Sequence, residues 1–162
     1  MYQIPIETIN PRTCAITGHR NLPPDLQRSK IKDRLCALIE AGVEIFYNGL
    51  AIGFDLLTAE LILQLKKDYP SIRLCGCVPF YGQEKYYNAE DAALYRKIYS
   101  SCDEIVILDE EYHKNSYFTR NDYMIDHADL LFAFCKDSHG GSAYTVRNFI
   151  KKKGAENVIY VE

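Results

Sequence analysis

The 162-residue sequence has no excess of basic residues, since 19 lysines and arginines stand against 22 aspartates and glutamates, a net charge of −3. This balance argues against a non-specific nucleic-acid binder, which normally carries a basic surplus. The sequence also lacks a run of about 18 apolar residues, which argues against a transmembrane helix. The first twelve residues lack the basic-then-apolar pattern of a secretory signal. We therefore expect a cytoplasmic protein without a membrane anchor.

Motifs for metals and for dinucleotide cofactors are missing as well. The six cysteines form no CxxC pair and the four histidines no HxxxH spacing, so we expect free thiols and no metal. Only Gly18 follows the first predicted strand, where a dinucleotide-binding protein would carry GxGxxG. This difference argues against a standard NAD-dependent dehydrogenase, and the sequence identifies no cofactor.

The length and the 48% hydrophobic content fit one domain spanning residues 1–162. Apolar segments predict strands at 13–17, 43–47, 72–78, 104–108, 129–135 and 158–161. Helices are predicted at about 24–41, at 55–68, in a segment ending near 101, at 119–127 and from 142 to a stop at 154. This alternation predicts an α/β protein, a Rossmann-like three-layer sandwich with a mostly parallel, doubly wound sheet of about six strands.

Glycines and small polar residues gather where the predicted strands end. In an open parallel sheet, ligands bind outside the carboxyl ends of the strands, so the turns after several strands belong to one edge. A glycine lets backbone N–H groups approach an anion closely. Gly140-Gly141-Ser142, at the predicted start of the last helix, is typical of a phosphate site, or of a plain glycine turn with a serine N-cap.

Charged residues beside these turns each have two interpretations. Arg20 and Arg120 are placed to hold a phosphate, and Arg120 is expected to open a short helix and lie at the rim of a cleft. His19 is either a ligand contact or acid–base group, or a turn histidine that bonds to the backbone. Asp55 either caps its helix or binds a ribose hydroxyl in the cleft.

Five motifs follow one another along the chain. They are Thr17-Gly-His-Arg20, Gly49-x-Ala51-x-Gly53-x-Asp55, Val78-Pro79-Phe80 followed by Gln83, Arg120-Asn121 followed by Asp126-His127, and Gly140-Gly141-Ser142. Together they resemble the YpsA-like family of bacterial and phage proteins, which belongs to the SLOG superfamily and is related to DprA and the LOG (lonely guy) proteins. The resemblance runs from about residue 12 to residue 162.

The resemblance implies a Rossmann-like fold that binds or senses a nucleotide or nucleotide-derived ligand, and it suggests a link to stress or cell-division control. The candidate ligand-binding residues are Thr17, Gly18, His19, Arg20, Gly49, Ala51, Gly53, Asp55, Pro79, Phe80, Arg120, Asn121, Gly140, Gly141 and Ser142. The expected partner is a small molecule rather than a nucleic acid.

Two alternatives stay open, and with them whether the protein is an enzyme. One is a phosphoribohydrolase-type hydrolase of nucleotide N-glycosidic bonds. In LOG enzymes a glycine-rich element carries a catalytic glutamate, whose position is taken here by Thr145 or by Arg147, depending on the register. Asp55, Glu84 and Asp122 are the candidate replacements. The other alternative is a protein-interaction module without a ligand, and exposed tyrosines leave a homodimer or a protein partner open.

Overall fold

The computed structural model describes residues 12–161, in which six strands alternate with five α-helices. The strands are β1 (Arg12–Gly18), β2 (Val43–Asn48), β3 (Arg73–Val78), β4 (Glu104–Ile107), β5 (Leu130–Phe134) and β6 (Val158–Tyr160). The helices are α1 (Arg28–Glu40), α2 (Phe54–Leu65), α3 (Ala89–Ser101), α4 (Ser116–His127) and α5 (Gly141–Lys153). Short 3₁₀ helices lie at Gln83–Tyr86 and Ala155–Asn157.

The strands form one sheet in the order β4-β3-β2-β1-β5-β6, and every neighbouring pair is parallel. The chain moves outward from β1 to β4 and then returns to the other side of β1, so the winding reverses between β1 and β5. This reversal is the switch point at which doubly wound sheets bind ligands. Thr17 lies opposite Ala133 and Gly18 opposite Phe134, which places the ends of both strands side by side.

Helices cover both faces of the sheet, as strands with apolar residues on both faces require. On one face, α1, α2 and α3 enclose a core that contains Phe46, Phe54 and Phe132. On the other face, α4 and α5 supply a second core that includes Met124 and Phe149. The predicted Rossmann-like three-layer fold is confirmed.

Two helix starts differ from the predicted positions by more than one residue. Helix α1 begins at Arg28, because a separate turn, closed by the Leu26 N–H donating to the Pro23 carbonyl at 3.1 Å, precedes it. Helix α4 begins at Ser116 rather than at 119, because the Ser116 hydroxyl accepts the His113 N–H at 2.7 Å and closes the turn before the helix. Arg120 therefore lies inside α4 and does not open it.

Of the two interpretations given for Asp55 and for Ser142, the one in which each residue caps its helix is wrong. Helix α2 is preceded by Gly53, with φ 83°, and α5 by Gly140, with φ 99°. Neither helix receives a side-chain capping hydrogen bond. A positive φ at the cap position favours glycine, so backbone geometry decides these two helix starts.

Within residues 12–161, no helix could span a bilayer, and the five α-helices have only 12 or 13 residues each. The absence of a signal pattern concerns residues that lie almost entirely outside this range. All six cysteines are free thiols.

Gly18 tests the packing at the end of β1, and Gly141, at the start of α5, is the matched control. A Cβ at Gly18 would overlap the buried ring of Phe54, whereas a Cβ at Gly141 would meet no heavy atom within 4 Å. Gly18→Ala should lower the free energy of unfolding in urea by about 1–3 kcal/mol, and Gly141→Ala should change it by less than about 0.5 kcal/mol. Equal stability of the two variants would contradict this packing.

Candidate functional site

The carboxyl ends of β1 and β5 border a cavity of about 310 Å³ at the switch point. Its lining residues are Ile16, Thr17, Gly18, His19, Arg20, Ala51, Asp55, Tyr117, Arg120, Asn121, Met124, His139, Gly140, Gly141 and Ser142. They belong to four parts of the chain. These are β1 with the turn after it, the segment before α2 with the first turn of α2, helix α4, and the start of α5 with the residues before it. The predicted turns after strands one, two and five thus meet at one cavity.

His19 connects the turn after β1 to the segment after β5. Its Nε2 accepts the Lys136 N–H at 2.8 Å, and its Nδ1 lies 3.2 Å from the Ser142 hydroxyl. Because Nε2 is an acceptor, the ring proton belongs on Nδ1, which then donates to the Ser142 oxygen. The Ser142 hydroxyl hydrogen remains available for a ligand. Of the two interpretations of His19, the bond to the backbone is present, and the ring also lines the cavity.

The loop after β2 is held by Asn48 and crosses the turn after β1. The buried Asn48 amide accepts the Leu50 N–H at 2.8 Å and donates to the Asp55 carbonyl at 2.9 Å. Nearby, the Phe54 N–H donates to the His19 carbonyl at 3.1 Å. Any Cβ at Gly53 would overlap the Arg20 carbonyl, so this crossing requires glycine there.

Arg120 is 5% exposed, and the expectation that it lies at the cleft rim is wrong. Its Nε donates to the Asn121 Oδ1 at 2.7 Å, and its Nη1 donates to the Gly49 carbonyl at 2.7 Å. The backbone of Gly49 can approach because it carries no Cβ, which would lie 2.5 Å from Nη1. Arg120 therefore joins α4 to the loop after β2 while it also lines the cavity.

Asp55 is a buried carboxyl group in the cavity wall. It is 6% exposed, and its Oδ2 accepts the Ala51 N–H at 3.4 Å. Burial raises its pKa to about 6, although Arg120, the Ala51 hydrogen bond and Arg20 favour the ionised form. A carboxyl group with this pKa can gain or lose a proton near neutral pH.

The start of α5 is open toward the cavity. The space beside Gly140 and Gly141 is open, because a Cβ at either position would meet no heavy atom within 4 Å. The first N–H groups of a helix have no partner within the helix, and they point along its axis with the positive end of the helix dipole. This arrangement can receive an anion.

Some predicted residues lie outside the cavity lining. Gly49 and Gly53 shape the wall from behind through the close approaches described above. Phe80 is buried and packs on Tyr117 with ring centroids 5.7 Å apart, and Pro79 lies beside it in sequence. Glu84 lines a separate cavity with Tyr95 and Tyr99, and Asp122 accepts the Tyr144 hydroxyl at 3.0 Å.

Four lining residues were missed by sequence reasoning: Ile16, Tyr117, Met124 and His139. His139 directly precedes the glycine pair, so adjacency could have identified it. Ile16 and Met124 carry only the signal of core residues. Tyr117 was missed because α4 begins earlier than the apolar pattern indicates.

The family model described as the YspA SLOG family matches residues 24–161. A UPF0398 protein of Bacillus pumilus is 32% identical over 140 residues, covering 79% of this chain and 75% of that protein. The SPbeta prophage-derived protein YoqJ of Bacillus subtilis is 29% identical over 140 residues, covering 76% of this chain and 81% of that protein.

Two solved structures share the fold. DNA processing protein A from Helicobacter pylori, described as having a unique single-stranded DNA binding mode, superposes with a TM-score of 0.65 at 20% identity and 93% coverage of this chain. DprA from Streptococcus pneumoniae gives a TM-score of 0.64 at 17% identity and 92% coverage. The match spans only 65% and 50% of those two longer chains.

Arg120 is expected to be needed for the fold. Arg120→Ala should lower the free energy of unfolding by about 2–5 kcal/mol, because two buried acceptors lose their donor and Asp55 loses a nearby positive charge. Arg120→Lys should have a smaller effect, because the ammonium group keeps the positive charge. It should still destabilise the fold, because lysine cannot reproduce both hydrogen bonds of the guanidinium. The exposed Arg96→Ala is the control, expected within about 0.5 kcal/mol of wild type in urea unfolding. An equally small effect of Arg120→Ala would contradict the buried contacts.

Asp55 should make stability depend on pH. Burial raises the pKa of Asp55 from its ordinary 3.8 to about 6, so between these pH values the folded protein binds a proton that the unfolded chain has lost. The contribution of the Asp55 carboxyl group to the free energy of unfolding is greatest below pH 4. It falls by about 3 kcal/mol in total as the pH rises through 6. The measurement is the difference in unfolding free energy between wild type and Asp55→Asn from pH 4 to 7. A difference that stays constant or rises would contradict the raised pKa.

Proposed function

We propose that this chain, which belongs to the YspA SLOG family, binds a phosphate-bearing nucleotide or nucleotide-derived ligand in the cavity at the switch point. The observation that carries the proposal is the meeting of Arg20, Arg120, Asp55 and the open start of α5 around one cavity. Arginines and helix N-termini bind phosphate, and a carboxylate accepts hydrogen bonds from ribose hydroxyls.

The phosphate would bind at the start of α5. The N–H groups of Gly141 and Ser142 and the Ser142 hydroxyl would donate to its oxygens, with Arg20 reaching it from the turn after β1. The absence of any Cβ contact at Gly140 and Gly141 supports this placement, because the backbone can be approached closely. Arg120, whose Nη1 and Nε already bind protein oxygens, would contribute mainly positive charge.

The remaining lining residues would hold the sugar. Asp55 would accept a ribose hydroxyl, while Thr17, Gly18, His19, Ala51 and Asn121 form the wall around it. A cavity of about 310 Å³ is at the small end of the range for ligand sites, which suits the ribose–phosphate part of a nucleotide. We infer a small-molecule ligand rather than DNA, because the chain carries a net charge of −3.

Ligand sensing in the cytoplasm is the role we favour, within a stress or cell-division response. Six free thiols suit a reducing compartment. Sensing is favoured over turnover because Thr145 or Arg147 takes the position of the catalytic glutamate of LOG enzymes, and both side chains bind backbone carbonyls. Thr145 is buried and donates to the Gly141 carbonyl at 3.0 Å, while the exposed Arg147 donates to the Ser138 carbonyl at 2.9 Å.

Glycosidic-bond hydrolysis is the second candidate, and Asp55 is the observation that favours it. Among the residues that line the cavity, Asp55 is the carboxylic acid, and its raised pKa suits proton transfer near neutral pH. In that reaction water would add to the anomeric carbon, the bond to the base would break, and a proton would pass to the departing base. Glu84 and Asp122 lie outside the lining and are dropped from this role.

Gly141→Asp tests the phosphate site against Gly141→Ala. An aspartate at the start of α5 suits the helix dipole, so the fold should be retained, yet its charge would occupy and repel the phosphate position. For AMP measured by calorimetry, Gly141→Asp should weaken binding by about 10- to 150-fold, while Gly141→Ala, which adds a methyl group but no charge, should weaken it far less. ADP-ribose and NAD would be screened in the same way.

Unchanged AMP binding by Gly141→Asp would contradict a phosphate at α5, and no saturable binding by any of the three ligands would contradict the proposed function. The same mixtures, analysed for free adenine over time, separate sensing from hydrolysis. Sensing predicts that none is released. Release that is lost in Asp55→Asn would establish the enzymatic candidate instead.

A further inference from the structure

An aromatic cluster formed by Phe80, Tyr112 and Tyr117 adjoins the cavity. The ring centroids are 5.4 Å apart for Phe80–Tyr112, 5.7 Å for Phe80–Tyr117 and 6.3 Å for Tyr112–Tyr117. Phe80 follows β3, Tyr112 lies between β4 and α4, and Tyr117 is in the first turn of α4. Tyr117 lines the cavity and Tyr112 does not, so the cluster extends outward from the cavity wall.

The three rings differ sharply in exposure. Phe80 is 5% exposed and Tyr112 is 60% exposed, so Phe80 supports a ring that remains open to solvent. The Phe80–Tyr112 contact is edge-to-face, with an interplanar angle of 79°. Tyr112 is therefore held in position by neighbouring rings while much of its surface stays available. A fixed, exposed aromatic surface next to a cavity is suited to stacking against a flat apolar group.

Positive charge connects this cluster to the phosphate end of the cavity. The guanidinium carbons of Arg20 and Arg120 lie 5.5 Å and 5.8 Å from the Tyr117 ring centroid. Both arginines also line the cavity. A ligand whose phosphate lies near Arg20 and α5 would pass Tyr117 before reaching Tyr112. Along this wall the anion-binding groups come first, then the Tyr117 ring beside the two guanidinium groups, and then the exposed Tyr112 ring.

We infer that Tyr112, supported by Phe80 and Tyr117, is the stacking surface for the base of the bound nucleotide. This inference rests on the proposed function and narrows it, because the ligand must then retain an aromatic base and cannot be a bare sugar phosphate. Of the three rings, Tyr112 is the strongly exposed one, which fits a single base. The ligand class is thus a free nucleotide rather than a strand of nucleic acid, which would need successive stacking surfaces.

The test compares AMP with ribose 5-phosphate, which lacks the base, by calorimetry. Wild type should bind AMP more tightly than ribose 5-phosphate. Tyr112→Ala should weaken AMP binding by about 5- to 150-fold and leave ribose 5-phosphate binding unchanged. Tyr112→Phe keeps the ring and should bind AMP like wild type. Tyr86→Ala is the matched control, because Tyr86 is 93% exposed and lies outside the cluster.

Each remaining outcome has a definite meaning. If AMP and ribose 5-phosphate bind equally, or if Tyr112→Ala weakens both alike, the stacking role is wrong while the phosphate site stands. If neither compound binds wild type, this inference is wrong, and the proposed function fails with it when ADP-ribose and NAD do not bind either. If oligo(dA) of five nucleotides binds more tightly than AMP and Tyr112→Ala abolishes that gain, the surface serves a strand, and the assignment to a free nucleotide is wrong.

Discussion

The buried guanidinium of Arg120 links α4 to the loop after β2, two parts of the cavity wall that lie far apart in the chain. Its Nη1 binds the carbonyl of Gly49, 71 positions away in sequence, and its Nε binds its neighbour Asn121. A charge in the interior is tolerated only when its hydrogen bonds are satisfied, so the loop after β2 must present its carbonyl at this point. The charge of Arg120 lowers the pKa of Asp55, opposing the effect of burial, and its guanidinium lies near the Tyr117 ring. Arg120 thus interacts with the loop after β2, with the Asp55 carboxyl group and with the Tyr117 ring.

Local patterns predicted the fold well, because they depend on residues that are close in sequence. The continuous apolar run that forms β5 marks a strand buried on both faces, and all five of its residues are buried. The glycine pair after it marks the start of a helix. The alternation of such segments was enough to predict a doubly wound parallel sheet, and hence the edge at which the conspicuous turns would meet.

The failures have two causes, a contact between distant residues and local backbone geometry that the residue types do not reveal. Arginine is normally a surface residue, and nothing near Arg120 in sequence announces the carbonyl that allows its burial. The two incorrect helix caps have a related cause, because an aspartate and a serine suit capping, yet the chain turns through a positive φ at the preceding glycine. Tyr117 escaped notice since a turn closed by Ser116 starts α4 early. Fold class follows from the pattern of apolar segments, whereas the chemistry of the cavity also depends on tertiary packing and on the backbone angles of single residues.

The central position of β1 has a consequence for how the protein folds. Thr13 contacts Asp129, 116 positions further along the chain, and β1 needs both β2 and β5 as neighbours. Pairing of β1 with β2 closes a short loop, whereas pairing with β5 must close a far longer one and comes at a greater entropic cost. During synthesis the four strands from β1 to β4 can assemble while one edge of β1 stays open. The cavity then comes into being with the arrival of β5, so a partly made chain has no site for a ligand to stabilise.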